Sequence, residues 1–276
     1  MSALTRRQMR LIFEQVDNMI DLMCGNCLEL MSKIPDKSID MILCDLPYGT
    51  TQCKWDKTIP FVPLWEQYNR IIKDNGAIVL FGSQPFTTDL INSQRKLFRY
   101  EIIWEKTQCT GFYNAHRMPL KAHENILVFY KKLPTYNPQK WINQNAQIGH
   151  RRTNSDYKKT SGKAFGRVSK KSAESWEYID DGSRFPRSVV KFSNQNGALF
   201  GNTQNAVKHP TSKPVGLLEY LIQTYSNEGD LILDNAMGAG STGVAAIMLK
   251  RDFIGIEIDR HFFEIAQEQI HCALRQ

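Results

Sequence analysis

The sequence predicts an α/β protein with a mainly parallel sheet, helices on both faces and one inserted basic segment. Short apolar runs, typical of buried parallel strands, alternate with stretches of helical period. A glycine-rich turn near the C-terminus stands between such a strand and a helix. Residues 131–205 hold 14 Lys and Arg against 5 Asp and Glu, an excess of +9, whereas the whole chain has +7.

The length and composition bound the class of protein. With 276 residues and 42% hydrophobic content, the chain can form one large domain with an inserted lobe. No apolar run approaches the roughly 20 residues of a membrane span, and the start lacks a signal-peptide core, so we expect a cytoplasmic protein. Cys24-Gly-Asn-Cys27 has no second pair to complete a tetrahedral site; we expect neither a disulfide nor a metal.

The N-terminal part is predicted to alternate strands and helices. Apolar runs predict strands at residues 21–24, 40–45, 77–82, 100–104 and 125–130. A helix is predicted at residues 61–73, because Pro63 suits a first turn and Leu64, Tyr68, Ile71 and Ile72 fall on one face.

After residue 130 the composition changes. A polar stretch rich in Asn, Gln, Ser and Lys follows, yet it keeps aromatic residues that a purely disordered segment would lack. From residue 209 the α/β pattern resumes, with helices predicted at 217–225, 241–250 and 260–274 and strands at 231–234 and 253–257. We therefore predict a domain in two halves, 1–130 and 209–276, with residues 131–208 inserted.

The last part of the chain contains a turn suited to a nucleoside cofactor. Gly238 and Gly240 would let the backbone approach a ligand, and Ser241-Thr242 open the following helix. The next strand ends in Glu257, at about the 20-residue spacing where dinucleotide-binding folds place an acid on ribose hydroxyls. We call residues 234–242 together with Glu257 the cofactor cradle.

The charge of this turn selects among nucleoside cofactors. A phosphate would favour a Lys or Arg in the turn, but Asp234 precedes it and no cation lies within it. An acidic turn suits a cofactor that carries a cationic sulfonium and an amino group. The sequence therefore predicts S-adenosylmethionine rather than NAD or ATP.

The strand at residues 40–45 runs into Asp45-Leu46-Pro47-Tyr48, at the carboxyl end where open α/β sheets bind ligands. The exocyclic amino group of adenine or cytosine is a poor nucleophile, because its lone pair is delocalised into the ring. Asp45 and the Leu46 carbonyl could accept both amino hydrogens, Pro47 would fix the turn, and Tyr48 offers a face to an extruded base. An Asp in this position could instead only cap a turn. We call these four residues the catalytic corner.

These two motifs resemble those of the S-adenosylmethionine-dependent DNA amino-methyltransferases, which methylate adenine N6 or cytosine N4. Their order is similar to the β arrangement of that family, which implies a circularly permuted, Rossmann-like fold. The usual catalytic run is Asp-Pro-Pro-Tyr or Ser-Pro-Pro-Tyr, and acid at the first position favours adenine N6. The usual cofactor run is Asp-Pro-Phe-x-Gly-Ser-Gly-Thr-Thr, from which this chain departs at Asn235, Ala236, Ala239 and Ser241.

The resemblance implies further cofactor-binding residues. Residues 209–214 resemble the motif that precedes the cofactor motif, by which Lys213 would pair with the cofactor carboxylate, with Thr211 or Ser212 close by. Gly25-Asn26 stands where relatives commonly have Gly-Asp near the cofactor adenine. The predicted cofactor-binding residues are Asn26, Thr211, Lys213, Asp234, Ala236, Gly238, Gly240, Ser241, Thr242 and Glu257.

The basic segment lies where that family has its target-recognition region, and a localised basic surface is typical of proteins that bind nucleic acid. Arg151, Arg152, Lys158 and Lys159 suit phosphate contacts, and Arg184 and Arg187 could read base edges. Trp55 lies in a candidate lid over the base, and Arg117 in a glycine-hinged loop. His123-Glu124 has the form of a dyad, but its position fits a strand motif, so no catalytic role is predicted.

The predicted function is methyl transfer from S-adenosylmethionine to N6 of a flipped adenine in duplex DNA. Cytosine N4, an RNA substrate, or a catalytically silent regulator that binds cofactor or nucleic acid are the alternatives. An ATPase is disfavoured, because no GxxxxGK[ST] occurs. The resemblance also allows a homodimer and a cognate restriction endonuclease as partners.

Overall fold

The computed structural model describes residues 19–49, 57–153, 177–194 and 212–275. The strands are β1 (Ile20–Cys24), β2 (Ile39–Cys44), β3 (Ile72–Gly82), β4 (Phe98–Thr110), β5 (Lys121–Phe129), β6 (Trp141–Ile142), β7 (Arg151–Thr153), β8 (Glu177–Ile179), β9 (Ser183–Arg184), β10 (Val189–Phe192), β11 (Leu231–Asp234) and β12 (Asp252–Glu257). The helices are α1 (Cys27–Met31), α2 (Phe61–Ile71), α3 (Phe86–Ser93), α4 (Val215–Tyr225), α5 (Ser241–Met248) and α6 (Arg260–Ala273).

The chain divides into two compact units. The larger one runs to Asn137 and resumes at Ser188, and the smaller one is Pro138–Arg187. The larger unit is built on a sheet with the strand order β1-β12-β11-β2-β3-β5-β4-β10. The strands from β1 to β3 in this order are parallel, β5 is antiparallel to β3 and β4, and β10 is parallel to β4. The N-terminal strand β1 thus lies beside strands from the C-terminal part of the chain.

Helices cover both faces of this sheet. Met41 and Leu43 of β2 pack with side chains of α4, α5 and α6, whereas Ile42 and Cys44 pack with side chains of α1, α2 and α3. Successive strand residues point to opposite faces, so a strand covered on both sides is apolar throughout. The predicted α/β fold, a mainly parallel sheet with helices on both faces, is confirmed.

The predicted boundaries hold best where one apolar face decides the element. Helix α2 buries Leu64, Tyr68 and Ile71, as the spacing predicts. It ends at Ile71, not at residue 73, because Ile72 already pairs with Ile39 as the first residue of β3. The hairpin of β4 and β5 is longer than the predicted strands, with pairing that continues to Thr110 and Lys121. Its outer part is exposed and lacks the apolar pattern by which a strand is recognised.

The smaller unit contains two antiparallel ribbons, β6 with β9 and β7 with β8. Asp180, which follows β8 in the chain, is buried. Its two carboxylate oxygens accept hydrogen bonds from both terminal nitrogens of Arg184, at 2.7 and 2.8 Å. This unit is narrower than the predicted insertion at residues 131–208, because β10 pairs with β4 in the large sheet. Among the described residues, no helix is long and apolar enough to cross a membrane.

Candidate active site

A pocket of about 590 Å³ lies at the carboxyl ends of the central parallel strands. The glycine turn after β11 lines it, together with Glu257 at the end of β12 and Asn26 after β1. All four residues of the catalytic corner, which follow β2, line the same pocket. β11 and β2 are neighbours in the sheet, so their carboxyl ends bring the two predicted motifs together from opposite ends of the chain.

The cofactor cradle is stabilised by backbone hydrogen bonds to Glu257. The Gly238 N–H donates to Oε2 and the Asp259 N–H to Oε1, both at 2.8 Å. Burial raises the pKa of Glu257, although these N–H donors oppose the shift. A carboxylate has about four acceptor sites, so Glu257 can hold the turn and still accept a hydrogen bond from a ligand hydroxyl.

Asp234 ends β11 with its side chain buried under the turn. It accepts a hydrogen bond from the Ala236 N–H at 3.1 Å. Burial raises the pKa of this carboxyl to about 6, despite opposing hydrogen bonds from Thr242 and the Ala236 N–H. Asp234 therefore carries its charge near neutral pH and loses it in mild acid.

The two glycines of the turn serve different purposes. Both have positive φ, +52° at Gly238 and +85° at Gly240, a region that suits glycine. Gly238 lines the pocket. Gly240 does not; a Cβ on it would lie 2.9 Å from the Cβ of Ala266 in α6. The sequence predicts Gly240 as a cofactor-binding residue, but the structure gives it a packing reason: close approach of α5 and α6.

In the catalytic corner, Asp45 is held by two donors. The Tyr48 hydroxyl donates to Oδ1 at 2.7 Å, and the Lys213 ammonium contacts Oδ2. The Tyr48 ring stacks on Phe86, with ring centroids 4.9 Å apart. Burial raises the pKa of Tyr48 well above its usual value, and the charges of Asp45 and Glu124 raise it further. Tyr48 therefore stays protonated and donates to the carboxylate.

Lys213 lies at the catalytic corner rather than at the far end of the cradle. Its ammonium contacts Asp45 and lies 3.3 Å from Oε2 of Glu124. Burial lowers the pKa of Lys213, but the two carboxylates outweigh it, so the pKa is raised and the side chain stays charged. The resemblance assigns Lys213 to the cofactor carboxylate. That pairing stays a prediction, and it would draw on an ammonium already held by two protein carboxylates.

Glu124 belongs to this site, although the sequence predicts no catalytic role for it. Its side chain is 12% exposed, lines the pocket and pairs with Lys106 as well as Lys213. Burial raises its pKa, but the two lysines outweigh burial and lower it, so Glu124 stays ionised. The sequence signals are the His123-Glu124 pair, for which no catalytic role is predicted, and an acid directly before the buried part of a strand. Its two lysine partners are distant in the chain and could not be found from spacing.

The predicted DNA-binding residues differ in their surroundings. Arg117, Arg151 and Arg187 are exposed, and Arg152 belongs to β7. Arg184 is half-buried and bound to Asp180 through both terminal nitrogens, so base reading by Arg184 would require that ion pair to open. Trp55, Lys158, Lys159 and the cofactor residue Thr211 lie outside the described residues. The role of each in binding DNA stays a prediction.

The sequence profile of a family described as DNA methylase matches residues 39–268, which include the catalytic corner, Glu124, Lys213 and the cofactor cradle. The chain belongs to the DNA methylase family. This confirms the predicted class, an S-adenosylmethionine-dependent amino-methyltransferase with DNA as substrate. The site fits such a cofactor, because the carboxylates Asp45, Asp234 and Glu257 line the pocket and the glycine turn contains no cation.

Relatives of this DNA methylase cover most of its length. It is 27% identical to "Type II methyltransferase M2.MboI" of Moraxella bovis, over 94% of this chain and 90% of the relative. It is 28% identical to "DNA adenine methyltransferase YhdJ" of Escherichia coli K12, over 90% of this chain and 82% of the relative.

Solved structures show the same fold. The cytosine-N4-specific PvuII DNA methyltransferase aligns with a TM-score of 0.63 at 14% identity, covering 94% of each chain. The complex of M1.HpyAVI with SAM aligns with a TM-score of 0.56 at 19% identity, covering 91% of this chain and 98% of the other. At these identities the likeness concerns the fold alone.

Proposed function

We propose that this DNA methylase methylates the exocyclic N6 of an adenine flipped out of duplex DNA. The observation that carries the proposal is a single pocket that joins the catalytic corner to the cofactor cradle. The acid at the first position of the corner favours adenine over cytosine. The relation to a protein named DNA adenine methyltransferase supports the same choice.

The chain's own residues would orient the target amino group. Asp45 and the Leu46 carbonyl accept its hydrogens, Pro47 fixes the turn and the Tyr48 ring borders the base. The bound cofactor supplies the methyl group. Each oxygen of Asp45 already takes one donor and keeps a second acceptor site, so the carboxylate can bind the amino group without releasing Tyr48 or Lys213. Rate enhancement then comes from positioning and from charge stabilisation.

Duplex DNA would contact two surfaces. One is the basic segment at residues 131–208, which we assign to target recognition. The other is the turn of the β4–β5 hairpin, whose neighbour Thr110 lines the pocket. Phe112 is 69% and Tyr113 95% exposed there, and no Asp or Glu occurs between residues 106 and 123, which include Arg117. Exposed aromatic residues beside cations suit a stacked base or the gap that a flipped base leaves.

The decisive experiment is methyl transfer from labelled S-adenosylmethionine to unmethylated genomic DNA, followed by nucleoside digestion and mass spectrometry. N6-methyladenine is the expected product. N4-methylcytosine would contradict the choice of base and keep the mechanism. Cofactor binding without any methylated DNA nucleoside would support an RNA substrate or a silent binding protein.

The DNA surface is tested by the salt dependence of binding. Replacing Lys158 and Lys159 by alanine should weaken DNA binding and reduce the slope of log K against log salt by about 2, because two phosphate contacts are lost. Lys33, an exposed lysine distant in sequence from both proposed surfaces, provides the control through Lys33→Ala. An unchanged slope in the double variant would remove these lysines from the interface.

The homodimer and a cognate restriction endonuclease stay proposals. Sedimentation can test the first, and the genomic neighbourhood can test the second.

A further inference from the structure

Glu124 is a buried carboxylate at the catalytic corner to which no sequence motif gives a role. Lys106 Nζ lies 2.5 Å from its Oε1, and Lys213 Nζ lies 3.3 Å from its Oε2. Lys213 in turn contacts Asp45. We call Lys106, Glu124, Lys213 and Asp45 the charged quartet, because their charges alternate along a continuous row of contacts.

The charged quartet is electrically balanced. It holds two ammonium groups and two carboxylates, and the side chains of Lys106, Glu124 and Lys213 are at most 12% exposed. Ions in such surroundings are tolerated when they are paired, and removing one partner leaves a buried charge uncompensated. Lys121, a further cation that interacts with Glu124, bonds to Ser83 and is not a member of the row.

Lys213 links Glu124 to Asp45, because its ammonium pairs with both carboxylates. Oε2 of Glu124 is buried and makes no hydrogen bond within the described part of the chain; the 3.3 Å ion pair is its contact with Lys213. Oδ1 of Asp45 is held by Tyr48, so the position of Oδ2, and with it the plane of the carboxylate, depends on Lys213. A displacement of the Lys213 ammonium would therefore rotate the acceptor that has to meet the base amino group.

We propose that Glu124 is a positioning residue for methyl transfer: it holds Lys213 against Asp45, and Lys106 balances the charge that Glu124 brings into the pocket wall. The proposal rests on the proposed function, because it assumes that Asp45 accepts the amino hydrogens of the base. It gives a positioning role to Glu124 and a charge-balancing role to Lys106, two residues outside the catalytic corner and the cofactor cradle.

The test compares Glu124→Gln, Lys106→Met and the double variant. Glu124→Gln keeps the side-chain length, Lys106→Met shortens the side chain by its terminal nitrogen, and each substitution removes one charge. The single-turnover rate of methyl transfer is measured at saturating cofactor and DNA, together with the Kd of both ligands. The rate is followed on whichever base the wild-type enzyme methylates. A cytosine product would thus overturn the proposed base and leave this test intact.

Glu124→Gln leaves two buried ammonium groups against one carboxylate. We expect its single-turnover rate to fall on the order of tenfold to a hundredfold, the loss typical of a misplaced catalytic group. The Kd values for cofactor and DNA should change by less than about threefold, because the proposal has Lys213 act on Asp45 and not on the cofactor carboxylate. In the double variant the Lys213–Asp45 pair is again balanced, so its rate should exceed that of Glu124→Gln.

The matched control is His123→Gln, one residue earlier on β5 and exposed to solvent, which should keep the wild-type rate. A purely structural Glu124 would lower the yield of folded protein and leave the rate per cofactor-binding molecule unchanged; that result would overturn the proposal. If the rate loss of the double variant equals the product of the two single-variant losses, the two residues act independently, and the proposed charge balance between Lys106 and Glu124 is overturned. A Kd for cofactor that rises in step with the loss of rate would make Glu124 a ligand contact instead.

Discussion

The cofactor cradle and the catalytic corner share one pocket but are built in different ways. The cradle is mostly contiguous backbone, with a glycine turn in which the Gly238 N–H donates to Glu257, the carboxylate that ends the next strand. The corner depends on charges from positions 45, 106, 124 and 213, which meet only in the folded protein. The comparison teaches that a ligand can be held by a local motif, whereas a reactive group is oriented by tertiary ion pairs.

The largest expected effect is the loss of methyl transfer in Asp45→Ala, a change at the catalytic corner that should lower the rate and leave cofactor binding intact. Asp45→Ala removes an acceptor of the amino hydrogens, so methyl transfer should fall by about 10³-fold or more, as expected for loss of a group that acts in the transition state. Cofactor affinity should stay within about threefold, because the cradle is untouched. Single-turnover kinetics and cofactor titration measure the two quantities. Normal turnover in this variant would remove Asp45 from the catalytic assignment.

The next largest effect is a loss of stability in Gly240→Ala, which tests whether packing against α6 requires the glycine in the cradle. Gly240→Ala combines a positive φ with a contact of 2.9 Å to Ala266 and should lower the free energy of unfolding by about 3 kcal/mol. Gly111→Ala is the matched control, because its φ is +89° and a Cβ there meets nothing within 4 Å. Denaturant unfolding of both variants isolates the cost of the contact with α6. Equal losses would show that backbone strain alone accounts for the glycine.

The cradle also predicts a pH dependence of stability. Burial raises the pKa of Asp234 to about 6, so the folded protein binds a proton that the unfolded chain has released above its usual pKa near 4. The contribution of this group is therefore fully present below pH 4 and is lost as the pH rises through 6, at most about 3 kcal/mol. Asp234→Asn should flatten this part of the profile relative to the wild type. Parallel wild-type and variant profiles between pH 4 and 7 would contradict the raised pKa.

The same contrast explains what the sequence can predict. Strand, glycine turn, helix and acid lie in one stretch, and the local backbone decides their geometry, so the cradle could be predicted, as could the parallel sheet. Lys213 and Glu124 are 89 positions apart in the chain, and nothing in either surrounding segment indicates that they meet. Gly240 shows a subtler case, because its conformation is predictable but its contact with Ala266 requires the packing of α6.

The smallest expected effect is a loss of cofactor affinity in Glu257→Gln. Glu257 is a carboxylate held by donors on both oxygens, as Asp45 is in the catalytic corner. Its carboxylate accepts one backbone N–H on each oxygen, so Glu257→Gln turns an NH₂ group toward one of the two donors. Loss of a hydrogen bond to a charged group costs about 1.5 to 3 kcal/mol, part of which appears in folding, so cofactor affinity should fall roughly fivefold to thirtyfold. The rate at saturating cofactor should change little, because Glu257 holds the turn and does not touch the reacting amino group. Cofactor titration and single-turnover kinetics on the same sample decide the matter. A loss of rate at saturation would mean that the cradle, like the corner, orients the reacting groups, and the division between binding and orientation within this pocket would fail.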